Sequence, residues 1–158
     1  MRFISVEPDK CIGCRTCEIA CVLAHRSANG ETSLHTAHFY PRLRIVKNKN
    51  ITAPVQCRQC DNAACIAACP VDAIEYVDDT VQIDASKCIG CRSCVVACPL
   101  GAIELVNMSV RQQKLGPVSV RDSVSVAQKC DLCIHSKTGP ACVAVCPTKA
   151  LRLINRAA

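Results

Sequence analysis

The chain of 158 residues has no tryptophan, two phenylalanines and two tyrosines, so aromatic residues make up 3% of it. Base stacking on single-stranded nucleic acid needs more rings than that, and no nucleic-acid partner is expected. A core without large rings buries modest area, so the fold needs another staple. No apolar run approaches the length that spans a bilayer, which leaves no direct membrane span. The N-terminal stretch MRFISVEPDKC has neither an apolar signal-peptide centre nor a twin-arginine leader. A soluble, cytoplasmic location follows as the expectation. The six glycines form no nucleotide fingerprint, and there is no Ser/His/Asp constellation or open-site metal motif. Nothing here suits the binding and transformation of an organic substrate, so a non-catalytic role is expected.

What the chain does have is sixteen cysteines, all within four runs. The first holds Cys11, Cys14, Cys17 and Cys21, and the second Cys57, Cys60, Cys65 and Cys69. The third holds Cys88, Cys91, Cys94 and Cys98, and the fourth Cys130, Cys133, Cys142 and Cys146. A CxxCxxC loop lets three thiolates converge on one iron–sulfur cube while backbone N–H groups point at its sulfides. Gly13 and Gly90 stand where a side chain would crowd that approach. The fourth cysteine lies four residues further along a short helix, displaced by about 6 Å. That reach suits a neighbouring cluster, the arrangement of two-cluster ferredoxins. Four [4Fe–4S] clusters are expected. Disulfides would scatter in pairs in an oxidising compartment. Zinc ribbons use two spaced pairs and commonly histidine, and the four histidines are not at ligand spacing from cysteines. The formal charge of +6 omits the thiolates. Four oxidised cubanes, each contributing about −2, bring it to about −2, so the basic residues read as counter-charge rather than a phosphate-binding face.

An internal repeat indicates the fold. CPVDAIEYV at 69–77, CPLGAIELV at 98–106 and CPTKALRLI at 146–154 each read as Cys-Pro, a turn and a strand. FISVEPDKC at 3–11, VQIDASKC at 81–88 and VSVAQKC at 124–130 are β-prone segments leading into Lys-Cys. The predicted class is α+β: tandem bacterial two-cluster ferredoxin-like repeats, one nested inside the other, with loop-rich insertions. Residues 51–106 form the inner lobe, and 1–21 with 124–158 the outer lobe, which requires strand 3–6 to lie near strand 151–154. Residues 22–56 are an insertion with a strand at Leu43–Val46, and 107–123 a connecting loop. The nesting pairs Cys57, Cys60 and Cys65 with Cys98, and Cys88, Cys91 and Cys94 with Cys69. It likewise pairs Cys11, Cys14 and Cys17 with Cys146, and Cys130, Cys133 and Cys142 with Cys21. Electrons would pass the clusters in the order outer, inner, inner, outer, or with one end of that order reversed.

Other residues read more plainly. His25, His35 and His38 are expected as polar residues of a surface insertion, and His135 as a solvent-facing loop residue. The first run lacks a proline after Cys21, so its helix is expected to continue towards His25. Lys10, Lys87 and Lys129 precede first cysteines, and Arg15, Arg58 and Arg92 fall inside runs. They are counter-charge, or they raise potentials and gate docking.

KCIGCRTCEIAC at 10–21, CRQC and CPVDAI in the second run, KCIGCRSCVVACPLGAIE at 87–104, and KCDLC with GPACVAVCPTKAL at 129–151 resemble one known family. It comprises the four-cluster ferredoxin-like electron-transfer subunits associated with molybdenum- and tungsten-enzymes, above all formate dehydrogenase and formate hydrogenlyase. The resemblance covers almost the whole chain. It implies the crossed, nested ligation above, on which the outer pair leans most. It also implies a wire between a catalytic molybdenum or tungsten subunit, such as a formate dehydrogenase or aldehyde oxidoreductase, and an acceptor. That acceptor would be a hydrogenase, a flavin subunit or further copies of the chain. Two rivals are a free polyferredoxin serving several enzymes and a cluster-based redox sensor, for which no segment offers a DNA-binding module.

Overall fold

The computed structural model describes residues 2–28, 39–115 and 118–155. His35, His38, Gly116 and Pro117 lie outside them. The architecture is α+β, built from short pieces. The strands form four separate two-stranded antiparallel sheets among the described residues. Strand β1 (Arg2–Val6) pairs with β8 (Leu151–Asn155), with Ile4 opposite Leu153, so the two ends of the chain lie together. Their alternation sets Ile4 and Leu151 into the core and Arg152 outward, with Phe3 half-buried on the other face under the Arg58 guanidinium.

Four helices follow the cysteine loops: α1 (Thr16–Ala28), α2 (Ala64–Ala67), α3 (Ser93–Ala97) and α4 (Ala141–Ala144). Pro70, Pro99 and Pro147 stop the chain from continuing the last three, since proline has no N–H to give. Val22 stands at the equivalent place in α1, which runs on to Ala28 as expected. Glu18 of α1, almost fully buried, accepts the Ile45 N–H (2.6 Å) and pairs with Arg15 (2.8 Å). That fastens α1 to β2 (Leu43–Lys47), which pairs with β3 (Thr52–Gln56). Asn48 Oδ1 closes their turn by accepting the N–H groups of Asn50 (3.0 Å) and Ile51 (2.7 Å). Strand β4 (Ile74–Val77) turns into β5 (Thr80–Ile83) through Asp78 and Asp79, both at positive φ. That is the primed turn that matches hairpin twist.

Two expectations need correction. Residues 107–123 are not a connecting loop. All but 116–117, which are not described, belong to the long hairpin of β6 (Glu104–Leu115) and β7 (Val118–Gln128). The alternation in VSVRDSVSV, a period of two, is the local signal for it. The insertion at 22–56 is likewise mostly regular where described: it opens as the end of α1 and closes as the β2–β3 hairpin.

Two cores organise the packing. One gathers Ile4, Leu43, Leu132 and Leu151 around Cys17, Cys21, Cys57, Cys130 and Cys142. The other gathers Ala63, Ile74, Val81, Ile103 and Ala127 around Cys94, with Cys60, Cys65, Cys69, Cys88 and Cys98 against it. The small residues that left the sequence short of bulk leave room here for sulfur. Helix α1 packs on α4 and α2 on α3.

Gly90 (φ +68°) shows how tightly a cysteine loop meets its neighbour. A Cβ there would come within 2.5 Å of the Ser125 carbonyl oxygen, whereas at Gly13 (φ +69°) it would meet only the Thr52 methyl at 2.8 Å. The crowding comes from neighbouring strands. Gly90→Ala is expected to cost more than about 2 kcal/mol, and more than Gly13→Ala, because a backbone atom cannot swing aside. Anaerobic denaturation midpoints of the two variants check the ranking.

Candidate iron–sulfur centres

The fold brings the sixteen thiols into four groups. Cys57, Cys60, Cys65 and Cys98 line one cavity of about 380 Å³, with Ala63, Val81 and Ile103 in its wall. Cys88, Cys91, Cys94 and Cys69 line a second of about 330 Å³, and Cys11, Cys14, Cys17 and Cys146 a third of about 320 Å³. Cys130, Cys133 and Cys21 are all close enough to the Cys142 thiol to push its pKa up, adding to the larger effect of burial. Each group therefore holds three cysteines of one run and the last cysteine of another. Helix packing delivers that fourth thiol: α1 against α4 exchanges Cys21 and Cys146, and α2 against α3 exchanges Cys69 and Cys98.

The backbone around the thiols is donor-rich. Cys69, Cys98 and Cys146 each accept the N–H of the residue four further on, Ala73 (3.3 Å), Ala102 (3.4 Å) and Ala150 (3.3 Å). The Cys-Pro-x-x-Ala element thus builds its own N–H···S bond. Cys88 accepts from Ala127 (3.4 Å) and Cys57 from Gln59 (3.4 Å). Such donors stabilise thiolates. Burial acts oppositely, raising Cys17 to about 11 and Cys130 to about 12. A buried thiol in that state keeps its proton unless a cationic core replaces it. A four-thiol set with N–H donors and little water fits an iron–sulfur cube.

The comparisons with known proteins decide the family. Residues 49–156 match the 4Fe–4S dicluster domain, and residues 8–21 a 4Fe–4S binding domain. The chain belongs to the 4Fe–4S dicluster family. As a family member with sixteen cysteines it binds multiple 4Fe–4S clusters. It is 45% identical over 155 residues to the electron transport protein HydN of Escherichia coli K12, covering 98% of this chain and 89% of that one. It is 39% identical over 173 residues to formate hydrogenlyase subunit 2 of the same organism, covering 98% and 82%. Against the putative oxidoreductase AegA of Escherichia coli K12 it is 43% identical over 98% of its own length but spans only 22% of the relative. The fold is shared with a chain of the BamBC complex of benzoyl-coenzyme A reductase, at 22% identity and a TM-score of 0.50, covering all of this chain and 80% of that one.

The four groups of this family member abut in an order that differs from the expectation. Cys17 raises the pKa of Cys142, which joins the Cys11 group to the Cys130 group. Cys57 does the same to Cys130, joining the Cys130 group to the Cys57 group. The Cys57 and Cys88 groups share α2 and α3. The succession is outer, outer, inner, inner, not outer, inner, inner, outer, because run four packs onto the start of run two. The Cys88 stretch is consequently an end of the succession.

The ends differ from the middle. Of the sixteen cysteines only Cys14 and Cys91 are exposed. Thr16 Oγ1 donates to Cys14 Sγ (3.3 Å), and the Ser93 hydroxyl lies 3.5 Å from Cys91 Sγ. These hydroxyls hold both thiols below the ordinary cysteine value. Ile12 and Ile89 stand exposed beside them.

His25 departs from the reading of it as a surface residue. It occupies, four residues after Cys21, the place that Ala73, Ala102 and Ala150 take in the other runs. It is partly buried, with Nδ1 bonding the Cys21 carbonyl (2.7 Å) and Nε2 bonding Asp131 Oδ1 (3.0 Å). The N–H that Cys21 lacks locally comes from Arg42 (3.3 Å), whose guanidinium also binds Asp131 (2.5 Å). Asp131 in turn accepts the Cys133 N–H (2.9 Å). Sequence reasoning missed Arg42 and Asp131. The alanine missing at +4 was the available signal. His135 is exposed, as expected.

Burial works against charge on His25, but the bonds to Asp131 and Cys21 outweigh it and raise its pKa to about 9. Burial also opposes the Asp131 carboxylate, and His25 with Arg42 holds it well below the usual range. The Asp131 contribution is present above about pH 4 and lost only in strong acid. The His25 contribution is full below its ordinary 6.5 and lost as pH rises through about 9. Asp131→Asn is expected to lower stability by about 2 kcal/mol at neutral pH and to flatten the decline between pH 6.5 and 9. Anaerobic thermal unfolding across that range measures both.

Proposed function

We propose that the chain is a non-catalytic electron-transfer subunit carrying four [4Fe–4S] clusters, one in each thiol group. The observation that carries this reading is the unbroken succession of four groups with one exposed cysteine at each end. Bound clusters would supply one-electron carriers. The protein's part is to hold sixteen thiolates, to keep water from the middle groups, and to present Cys14 and Cys91 to partners. The relatives, an electron transport protein and a subunit of formate hydrogenlyase, support the same reading. The crossed ligation fits an outer lobe of residues 1–21 and 124–158 around an inner lobe of 51–106.

The partner at one end is a molybdenum or tungsten catalytic subunit of the formate dehydrogenase or aldehyde oxidoreductase kind. At the other end is an acceptor such as a hydrogenase, a flavin subunit or another copy. A cytoplasmic location belongs to the reading. Among the described residues no helix is long and apolar enough to cross a membrane.

Anaerobic analysis of the purified chain is expected to return about 16 iron and 16 sulfide per molecule. Zinc without sulfide would overturn the assignment. Anaerobic capture of the tagged chain is expected to bring down a molybdenum or tungsten oxidoreductase subunit. A chain that stays monomeric in native extract favours a free polyferredoxin instead.

A further inference from the structure

Three lysines precede the first cysteine of a run, and the fold treats one of them differently. Lys10 and Lys87 are exposed and pair with an acid three residues back, Glu7 (2.5 Å) and Asp84 (3.8 Å). Lys129 is 4% exposed, and among the described residues no carboxylate pairs with it. Its Nζ donates to the carbonyl oxygens of Val81 and Cys130, the latter at 3.1 Å. An ammonium buried on neutral carbonyls alone is costly in a protein interior. The cost is offset only if negative charge lies nearby.

The site has two walls. Val81 lines the cavity of Cys57, Cys60, Cys65 and Cys98, and Cys130 opens the neighbouring group. Gln59, 1% exposed, clips the same two residues together. Its Nε2 donates to the Cys130 carbonyl (2.9 Å), its Oε1 accepts the Val81 N–H (2.8 Å), and its own N–H points at Cys57 Sγ (3.4 Å). Lys129 is thus held on fixed acceptors at the joint between the two middle thiol groups.

We propose that Lys129 is a positioning residue for electron transfer: its buried ammonium is the shared counter-charge of the two middle clusters and raises the potential of both relative to the two end clusters. The inference rests on the four-cluster reading above and deepens it. A fixed positive charge stabilises the reduced, more negative state of each neighbouring cluster, and the effect is large where water does not screen it. Gln59 holds the geometry, and Lys129 supplies the charge.

The test is an anaerobic redox titration of the holo-chain followed by electron paramagnetic resonance, on the unaltered protein and on Lys129→Met, Lys129→Gln and Lys129→Arg. In both neutral variants, two of the four centres are expected to show at least a tenfold lower ratio of reduced to oxidised form at fixed poise. That corresponds to about 59 mV or more for a one-electron couple. The arginine variant and the surface controls Lys10→Met and Lys87→Met should leave all four centres where they were. If the neutral variants lose clusters while Lys129→Arg keeps them, the charge is needed for retention itself and the assignment holds. Unshifted centres in Lys129→Met or Lys129→Gln, an equal shift of all four, or cluster loss in Lys129→Arg as well would overturn it. Failure of the four-cluster reading would show in the unaltered protein, through its iron, sulfide and number of centres, before any variant is made.

Discussion

Burying sulfur as an anion is the constraint on which the structure turns. Of the sixteen cysteines six are buried and eight half-buried, in positions that leucine or phenylalanine would fill elsewhere. Desolvation drives the deepest of them, Cys130 and Cys142, strongly towards the protonated form. A thiolate can persist there only with a cationic core, aligned N–H donors or a fixed positive charge. Much of the local architecture supplies one of these. The residues are small because the space belongs to sulfur and iron.

The N–H donors come from a device that the chain repeats and once breaks. After Cys69, Cys98 and Cys146, proline stops the helix and the alanine four residues on turns its N–H back to the sulfur. After Cys21 there is no proline, the helix runs on, and that N–H goes elsewhere. Arg42, just before β2, donates in its place. His25 and Asp131 then tie Arg42, Cys21 and Cys133 into one charged knot.

Exposure is graded along the succession of thiol groups. At the two ends the loops CIGCRTC and CIGCRSC are nearly the same, with an exposed cysteine, a hydroxyl beside it and an exposed isoleucine. The middle groups have longer arms, deeper burial and internal polar contacts such as Gln59 and Lys129. This division suits a conduit: the ends must meet partners, and the middle must exclude water.

The spacing of the cysteines determined a good deal by itself. Gaps of two residues, Cys-Pro and the three β-prone tails are local matters of helix rise, proline and strand alternation, so the α+β class and the short helices were legible without coordinates. Other features rest on residues far apart in the chain. Whether a lysine before a cysteine lies on the surface, as Lys10 and Lys87 do, or under it, as Lys129 does, cannot be read from KC. Burial of Lys129 arises where run four packs onto Val81 and Gln59. The order of the groups, with the Cys88 stretch at an end, arises from the same contact between Cys130 and Cys57. His25 became a structural ligand of Asp131 across 106 residues. Spacing encodes what one loop can hold; only packing decides which loops meet and what charge is trapped between them.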